Sequence, residues 1–361
     1  MHTCNLYHNP WTGELARLLV ERTKEHGGFH DASAAFICNS GSEANEAALK
    51  FARKVGKVVG GDKKTGLLSF QNSFHGRTMG SLSATPNPKY QMPFAPMVPG
   101  FQYGVYNDLE GIDALVNEET CGVIVEPIQG EGGVNVGTAE FLIKLGKRCR
   151  EVGAVLIHDE IQVRVPIYLL TYNRGLTPRA LSQCGLGRTG DLWAHQSLPK
   201  EAHPDILTMA KALGNGFPVG ATMVNDFVGE KIVTGDHGTT FGGNPMASRI
   251  GHYVFGRLSD PGLLSGVASK SEIFKKRLDA LRGKYPDLVT ELRGRGLILG
   301  LQLTKDPADL VKGARERGLL VITAGKDTVR FVPPLVIEDE LIDEGLKIFE
   351  DAMEVFAASK K

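Results

Sequence analysis

Four short apolar runs, AAFIC (34–38), TGLLSF (65–70), CGVIVEP (121–127) and AVLIHDE (154–160), each stop in polar or glycine-rich residues. Compact runs without polar alternation are what strands buried on both faces require, and such strands belong to parallel sheets covered by helices. Helical patterns lie between them. In SEANEAALKFARKV, residues Ala44, Ala47, Ala48, Phe51 and Val55 recur at three- and four-residue steps and make one apolar stripe. Ser40 and Glu43 just ahead of it have capping-box spacing. The alternation predicts an α/β fold, a mostly parallel central sheet with flanking helices.

At 361 residues the chain has room for two domains. Beyond residue 250 the texture changes. RGRGLILGLQL (293–303), GLLVITAG (318–325) and TVRFVPPLVI (328–337) are expected to be strands of a smaller sheet. A last helix should follow, with Ile342, Leu346, Phe349, Met353 and Phe356 on one face. The expected division is a large domain over 1–248 and a smaller C-terminal α+β domain over 249–361.

Composition narrows the function classes. Lys plus Arg equals Asp plus Glu at 41 each, so no net field favours nucleic acid or an anionic membrane. No apolar run reaches the length of a membrane span. Cys4, Cys38, Cys121, Cys149 and Cys184 form no C-x-x-C pair, which argues against a structural zinc site or a disulfide framework and fits a reducing compartment.

Four stretches should meet, because ligands of open α/β sheets sit beyond the carboxyl ends of the strands. Asn39-Ser40-Gly41-Ser42 joins a strand to a helix N-terminus, where backbone N–H groups and the helix dipole favour an anion. Phe74-His75-Gly76-Arg77-Thr78 puts an aromatic face and a guanidinium in one loop. The first can stack on a planar cofactor and the second can grip a carboxylate. Asp159 closes the apolar strand VLIHD, where an enzyme could hold a carboxylate against the ring nitrogen of a pyridine cofactor. Lys211, in ILTMAKALGNGFPVGA, follows an apolar stretch, and a Schiff-base lysine needs such desolvation. Each has an ordinary reading when taken singly: a cap, a surface arginine, an ion-pair carboxylate, a helix-surface lysine.

The ordered set SGSEANEAALKFARK, FHGRT, VEPIQGEGG, HDEIQ, CGLGRTG, TMAKALGNGFPVGA and HGTTFGGNP resembles the class III, PLP-dependent aminotransferases, and within them the acetylornithine aminotransferases. The match spans residues 39 to 245, with looser likeness in RGRGLILG and VRFVPPL. The resemblance implies the type I fold of PLP-dependent transferases, pyridoxal 5′-phosphate as cofactor, and a homodimer. It further implies that Lys211 binds the cofactor covalently and moves the reacting proton, and that Asp159 pairs with the pyridinium nitrogen. Gln162 would reach the phenolic oxygen, Phe74 would stack on the ring, and Glu126 would support its edge. Gly41 and Ser42 would hold the phosphate, and Thr240 would contact the phosphate in the neighbouring subunit. Arg77, helped by Thr239, would clamp the donor's α-carboxylate. Arg330 would receive glutamate, with Glu131 masking it in the other half-reaction. The implied reaction moves an amino group from N-acetylornithine to 2-oxoglutarate. Ornithine and 4-aminobutyrate aminotransferases share the scaffold, and FHGRT, DLWAHQ and HGTTFGGNP favour the acetylated substrate over theirs.

Two other readings fall away. Gly185-Leu186-Gly187-Arg188-Thr189-Gly190 is formally a dinucleotide fingerprint, but RALSQC precedes it where a strand is required. His158-Asp159-Glu160 makes a poor metal triad, since neighbours on a strand face opposite ways.

Two departures from the family pattern remain. The resemblance starts in mid-domain, so the chain is expected to begin at an internal Met, without any targeting segment. Second, Val163 to Gln183 interrupts the family's D-E-I-Q-C-G-x-G-R-T-G with 21 residues that hold three Arg and no Asp or Glu. Removing them restores DEIQCGLGRTG, with Gln162 and Gln183 interchangeable as the cofactor-contacting glutamine. Val163-Arg164, Leu176-Thr177 and Ser182-Gln183 can be encoded as donor-, branch- and acceptor-like sequences, and the length keeps the frame. The segment reads as a translated intron, the alternative being an inserted surface loop. On that reading the source is eukaryotic, the expected location is the mitochondrial matrix with the cytoplasm as the alternative, and this chain could be a catalytically impaired product of mis-splicing.

Overall fold

The computed structural model describes residues 7–161 and 185–359. Its strands are β1 (Ala32–Cys38), β2 (Gly66–Phe70), β3 (Phe101–Gly104), β4 (Thr120–Val125), β5 (Ile128–Gln129), β6 (Asn135–Val136), β7 (Val155–Asp159), β8 (Ile206–Met209), β9 (Gly220–Asn225), β10 (Val289–Arg295), β11 (Ile298–Leu303), β12 (Ile322–Ala324) and β13 (Thr328–Phe331). The longer helices are α1 (Pro10–Glu25), α2 (Gly41–Gly60), α3 (Ala139–Val152), α4 (Pro245–Leu258), α5 (Pro261–Lys284), α6 (Ala308–Glu316) and α7 (Asp339–Ala358). No helix among the described residues is long and apolar enough to cross a membrane.

Seven strands form the central sheet in the order β1-β9-β8-β7-β4-β2-β3. Only β9 pairs antiparallel, with β1 and β8, and the other pairs are parallel. The period of two along each strand decides what lies on each face. Ile124, Val155 and Ile157 pack with Ala47, Ala48, Phe51 and Val55 of α2. Val123, Val125 and Leu156 pack with Phe141, Leu142, Leu145 and Cys149 of α3. Residues 155, 157 and 159 therefore share the α2 side, which aims Asp159 at α2 and sends His158 and Glu160 the other way.

The apolar stripe of α2 is buried as the periodicity requires. Its cap departs from a full capping box. Ser40 Oγ accepts from the Glu43 N–H at 3.2 Å, but Glu43 Oε2 accepts from the backbone and side-chain amides of Asn39, each at 2.8 Å.

The smaller sheet has the order β10-β11-β13-β12. The stretch 293–303, expected to be one strand, is instead a hairpin of β10 and β11. Gly296 turns it at φ +61°, and a side chain there would lie 2.3 Å from the Arg188 carbonyl oxygen. The strand expected over 328–337 stops at Phe331. Pro333 and Pro334 follow, and neither can donate to a ladder. Ile342, Leu346, Phe349, Met353 and Phe356 of α7 share one core with Val267, Phe274, Leu301 and Phe331. Residue 248 lies inside α4, whose Ala247, Phe255 and Leu258 pack with Leu15 and Leu19 of α1.

Candidate active site

Lys211 follows β8 and opens a short 3-10 turn, Lys211–Gly214. Its φ of +46° lies in the left-handed region, which a lysine enters only where its surroundings impose it. Burial is the main cause that brings its ammonium pKa down to about 8, against the opposing pull of Asp159 and Glu126. A lysine so tuned offers a neutral amine near neutral pH, which a carbonyl-binding lysine must do.

Asp159 ends β7 wholly buried. Oδ2 accepts from Asn45 Nδ2 at 2.7 Å and from His75 Nδ1 at 2.7 Å, and Oδ1 accepts from the Ile161 N–H at 2.8 Å. Asn45 belongs to α2, and its amide is oriented in turn. Nδ2 also donates to the His75 carbonyl at 2.7 Å, and Oδ1 accepts from Thr208 Oγ1 at 2.8 Å. Neither His75 nor Asn45 stood out in the sequence as a separate candidate, because their roles depend on a contact across more than eighty residues.

Gly41 and Ser42 occupy the first turn of α2, whose N–H groups have no acceptor within the helix. A side chain at Gly41 would lie 2.6 Å from the Ile161 methyl, so this end of the helix approaches β7 only as glycine. Ser42 Oγ lies 3.4 Å from the Arg77 N–H, which joins the FHGRT loop to the same helix end. Phe74 receives its backbone support from Glu126, whose Oε2 accepts the Phe74 N–H at 3.1 Å. Burial first, and the nearby Asp159 second, push the Glu126 carboxyl well above the usual range.

Arg330 on β13 is buried, and its Nη1 donates to the Gly130 carbonyl at 2.6 Å. Its Nε and Nη2 have no hydrogen-bond partner, and Glu131 stands 3.7 Å from Nη2. Arg77 is exposed, with its guanidinium over the Tyr90 ring. Thr239 Oγ1 accepts from Asn39 Nδ2 at 3.1 Å, beside the cap of α2. Thr240 is exposed on the same loop. Gln162 and its alternate Gln183 lie outside the described residues.

The residues fit pyridoxal phosphate. An anion-seeking helix end, a fixed buried carboxylate and a desolvated lysine meet around one end of the sheet, the donor set that a phosphorylated pyridine aldehyde requires.

Strand alternation separates His158 and Glu160 from Asp159 but places them together. With His195 their ligand atoms lie within 4.8 Å of one another. His195 nevertheless has both nitrogens engaged: Nδ1 donates to Glu160 Oε1 at 2.6 Å, and Nε2 accepts from the Phe29 N–H at 3.1 Å. Glu160 also accepts from the Ala194 N–H at 2.8 Å. The group ties β7 to the turns at 185–195. Those turns lead into no helix at Gly190, as a dinucleotide site would need.

The Aminotransferase class-III family model matches residues 1–164 and 182–353 and passes over the stretch between. The chain is 62% identical over 355 residues to the mitochondrial acetylornithine aminotransferase of Neurospora crassa, covering 98% of this chain and 72% of that one. Among solved structures it resembles the ornithine aminotransferase of Toxoplasma gondii, with TM-score 0.85 and 31% identity over 99% of this chain and 80% of that one. It also resembles the N-acetylornithine aminotransferase of Stenotrophomonas maltophilia, with TM-score 0.78 and 32% identity over 99% and 83%. The chain belongs to the class-III aminotransferases, a family that works with pyridoxal 5′-phosphate.

Proposed function

We propose that the chain transfers the δ-amino group of N-acetylornithine to 2-oxoglutarate, giving the semialdehyde and glutamate. The observation that carries the reading is Arg330, a buried guanidinium whose Nε and Nη2 make no hydrogen bond and whose facing acid, Glu131, stands 3.7 Å away, among the charges that act on Lys211. A dicarboxylic acceptor supplies a partner for both nitrogens. Arg77, with no ion pair among the described residues, offers a second carboxylate site for the donor. The relatives named acetylornithine aminotransferases support the choice of donor over ornithine and 4-aminobutyrate.

When bound, pyridoxal phosphate supplies an electron sink for the charge left as the proton departs from the amine-bearing carbon. Lys211, as a neutral amine, takes that proton and later returns it. Asp159, fixed by Asn45, His75 and the Ile161 N–H, would keep the pyridine nitrogen protonated. Gly41 and Ser42 would hold the cofactor's phosphate, Phe74 would cover its ring and Glu126 would support its edge. Glu131 covers Arg330 while the donor occupies the site and leaves it when the acceptor enters. Thr239 assists Arg77.

The working form we propose is a homodimer in the mitochondrial matrix. Met79, Met92, Phe94, Phe241 and Met246 are about half exposed or more, apolar surface that a second copy would cover, and Thr240 is exposed to reach the partner's phosphate. Relatives in several fungi carry mitochondrial names.

A second reading concerns residues 163–183, which we propose are a translated intron. The family match breaks across them. The test of function is to load the chain with pyridoxal phosphate and record absorbance before and after each donor. Bleaching by N-acetylornithine at far lower concentration than by ornithine or 4-aminobutyrate is expected, with recovery on 2-oxoglutarate. Equal response to the three donors would overturn the choice of substrate.

A further inference from the structure

The guanidinium of Arg77 is held by aromatic rings. Its Cζ lies 3.9 Å from the centroid of Tyr90 and 5.5 Å from that of Phe74. The two rings meet edge to face, 6.4 Å apart at 86°. Tyr90 sits on a short helical turn, Pro88–Gln91, that is anchored from beside it. Gln91 Nε2 donates to the carbonyls of Leu82 at 3.1 Å and Thr85 at 2.9 Å, and Asn87 Oδ1 accepts from the Lys89 N–H at 3.1 Å. Glu46, an acid bonded to this loop, is engaged by other donors: Oε1 accepts from Thr78 Oγ1 and from the N–H groups of Gly80 and Ser81.

A cation–π contact uses the flat face of a guanidinium, whereas a carboxylate is gripped along its edge. The two can act at once. A ring under Arg77 thus restricts a long side chain without occupying the N–H groups that substrate needs. Because no acid is paired with Arg77 among the described residues, the same place repels a free α-ammonium and tolerates a neutral acylamide.

We propose that Tyr90 is a positioning residue for the donor: its ring holds the Arg77 guanidinium edge-outward to meet the carboxylate of an N-acylated amino acid, and so takes part in selecting acylated donors. The proposal rests on the donor-carboxylate reading of Arg77. It ties specificity to a residue beyond the FHGRT loop, one that meets the site through the side chains of Arg77 and Phe74.

The experiment compares Tyr90→Leu, Tyr90→Phe and Arg77→Gln with the unaltered holo-chain. Dissociation constants are measured by calorimetry for N-acetyl-L-norvaline, which lacks the reacting amine, and for glutarate, which addresses Arg330. KM and kcat are measured for both substrates. Tyr90→Leu should weaken N-acetyl-L-norvaline and raise the donor KM by about 10-fold, with a much smaller fall in kcat, as loss of one cation–π contact predicts. Glutarate affinity should stay near its original value, which also reports that the variant folds. Tyr90→Phe, which keeps the ring, should restore donor binding. Unchanged donor affinity in Tyr90→Leu, or equal weakening of both ligands, overturns the proposal. If Arg77→Gln binds the analogue as the unaltered chain does, the reading of Arg77 itself fails; if only Arg77→Gln weakens it, the role of Tyr90 alone fails.

Discussion

His75 Nδ1 lies 2.7 Å from Asp159 Oδ2, and neither side chain is exposed. Asn45 donates to the same oxygen, so one carboxylate is fixed by donors from α2, from the loop after β2 and from the residues just past its own strand. A hydrogen bond to a charged group contributes about 1.5–3 kcal/mol, so His75→Phe and Asn45→Ala should each lower kcat by roughly 10- to 100-fold. Both should also weaken cofactor retention, measured by fluorescence titration of the apo-chain. If neither variant changes either quantity, Asp159 is positioned without them.

Lys211 makes a kinetic prediction about pH. Its ammonium pKa, lowered to about 8 chiefly by burial, means that the neutral amine is the minor form below that pH. Capture of pyridoxal phosphate by the apo-chain requires the neutral amine. The second-order rate should therefore rise about tenfold per pH unit up to about 8 and then level off. Stopped-flow absorbance after adding the cofactor measures it. A rate still climbing at pH 10 would mean that the lysine is not desolvated.

Much of this site was legible because its residues sit where chain direction changes. Asp159 closes an apolar strand, Gly41 opens a helix, and Lys211 follows a buried run, so periodicity alone places them at one end of a sheet. Asn45 was not legible: within α2 it looks like one polar residue on a buried stripe, and only the Asp159 opposite makes it functional. Tyr90 was hidden because a cation–π contact leaves no spacing rule in sequence. The hairpin at 293–303 was missed for a local reason. Only Gly296 and Leu297 lie between its two strands, so the turn is too short to stand out, and Gly294 and Gly296, both at positive φ, read as part of one strand.

The far side of β7 makes the fold acid-sensitive. Burial holds the His158 pKa well below its usual value and brings His203 to about 4, with His195 adding to both. The faces packed on His203 bring His195, His30 and Asp31, of which only Asp31 favours the charged ring. In the unfolded chain these rings titrate near 6.5. Between pH 6.5 and 4 the unfolded state thus binds more protons, and stability falls as pH falls. Both ring nitrogens of His158 lack a partner. His158→Leu should leave Tm at pH 7 unchanged or higher and flatten its decline toward pH 5. Thermal melts with an unaltered slope would show that other groups govern the acid limb.

The break in the family motif can be tested by deletion. A side chain on Gly185 would lie 2.6 Å from Glu160 Oε2 and 3.1 Å from its Cβ, so the described chain resumes beside the point where it left. Without Val163 to Gln183, Gln162 and Cys184 alone would join Ile161 to Gly185. Three Cα–Cα steps of about 3.8 Å span roughly 11 Å, a reach that suits a Gly185 already lying against Glu160, the residue before Ile161. The contacts of Glu160 with Ala194 and His195 then need no rearrangement. Closure entropy changes slowly with the length of a connection, so Tm should move by only a few degrees, in line with about 1 kcal/mol or less. The effect should fall on the chemistry instead. The segment starts three residues beyond Asp159's neighbour Glu160, and misplacing a reacting group by about 1 Å can cost on the order of 100-fold in rate. The shortened chain is expected to bind pyridoxal phosphate more tightly and to turn over faster than the long one. A shortened chain that loses the cofactor would show that the segment belongs to the working protein, and transcripts carrying only the long form would remove the intron reading.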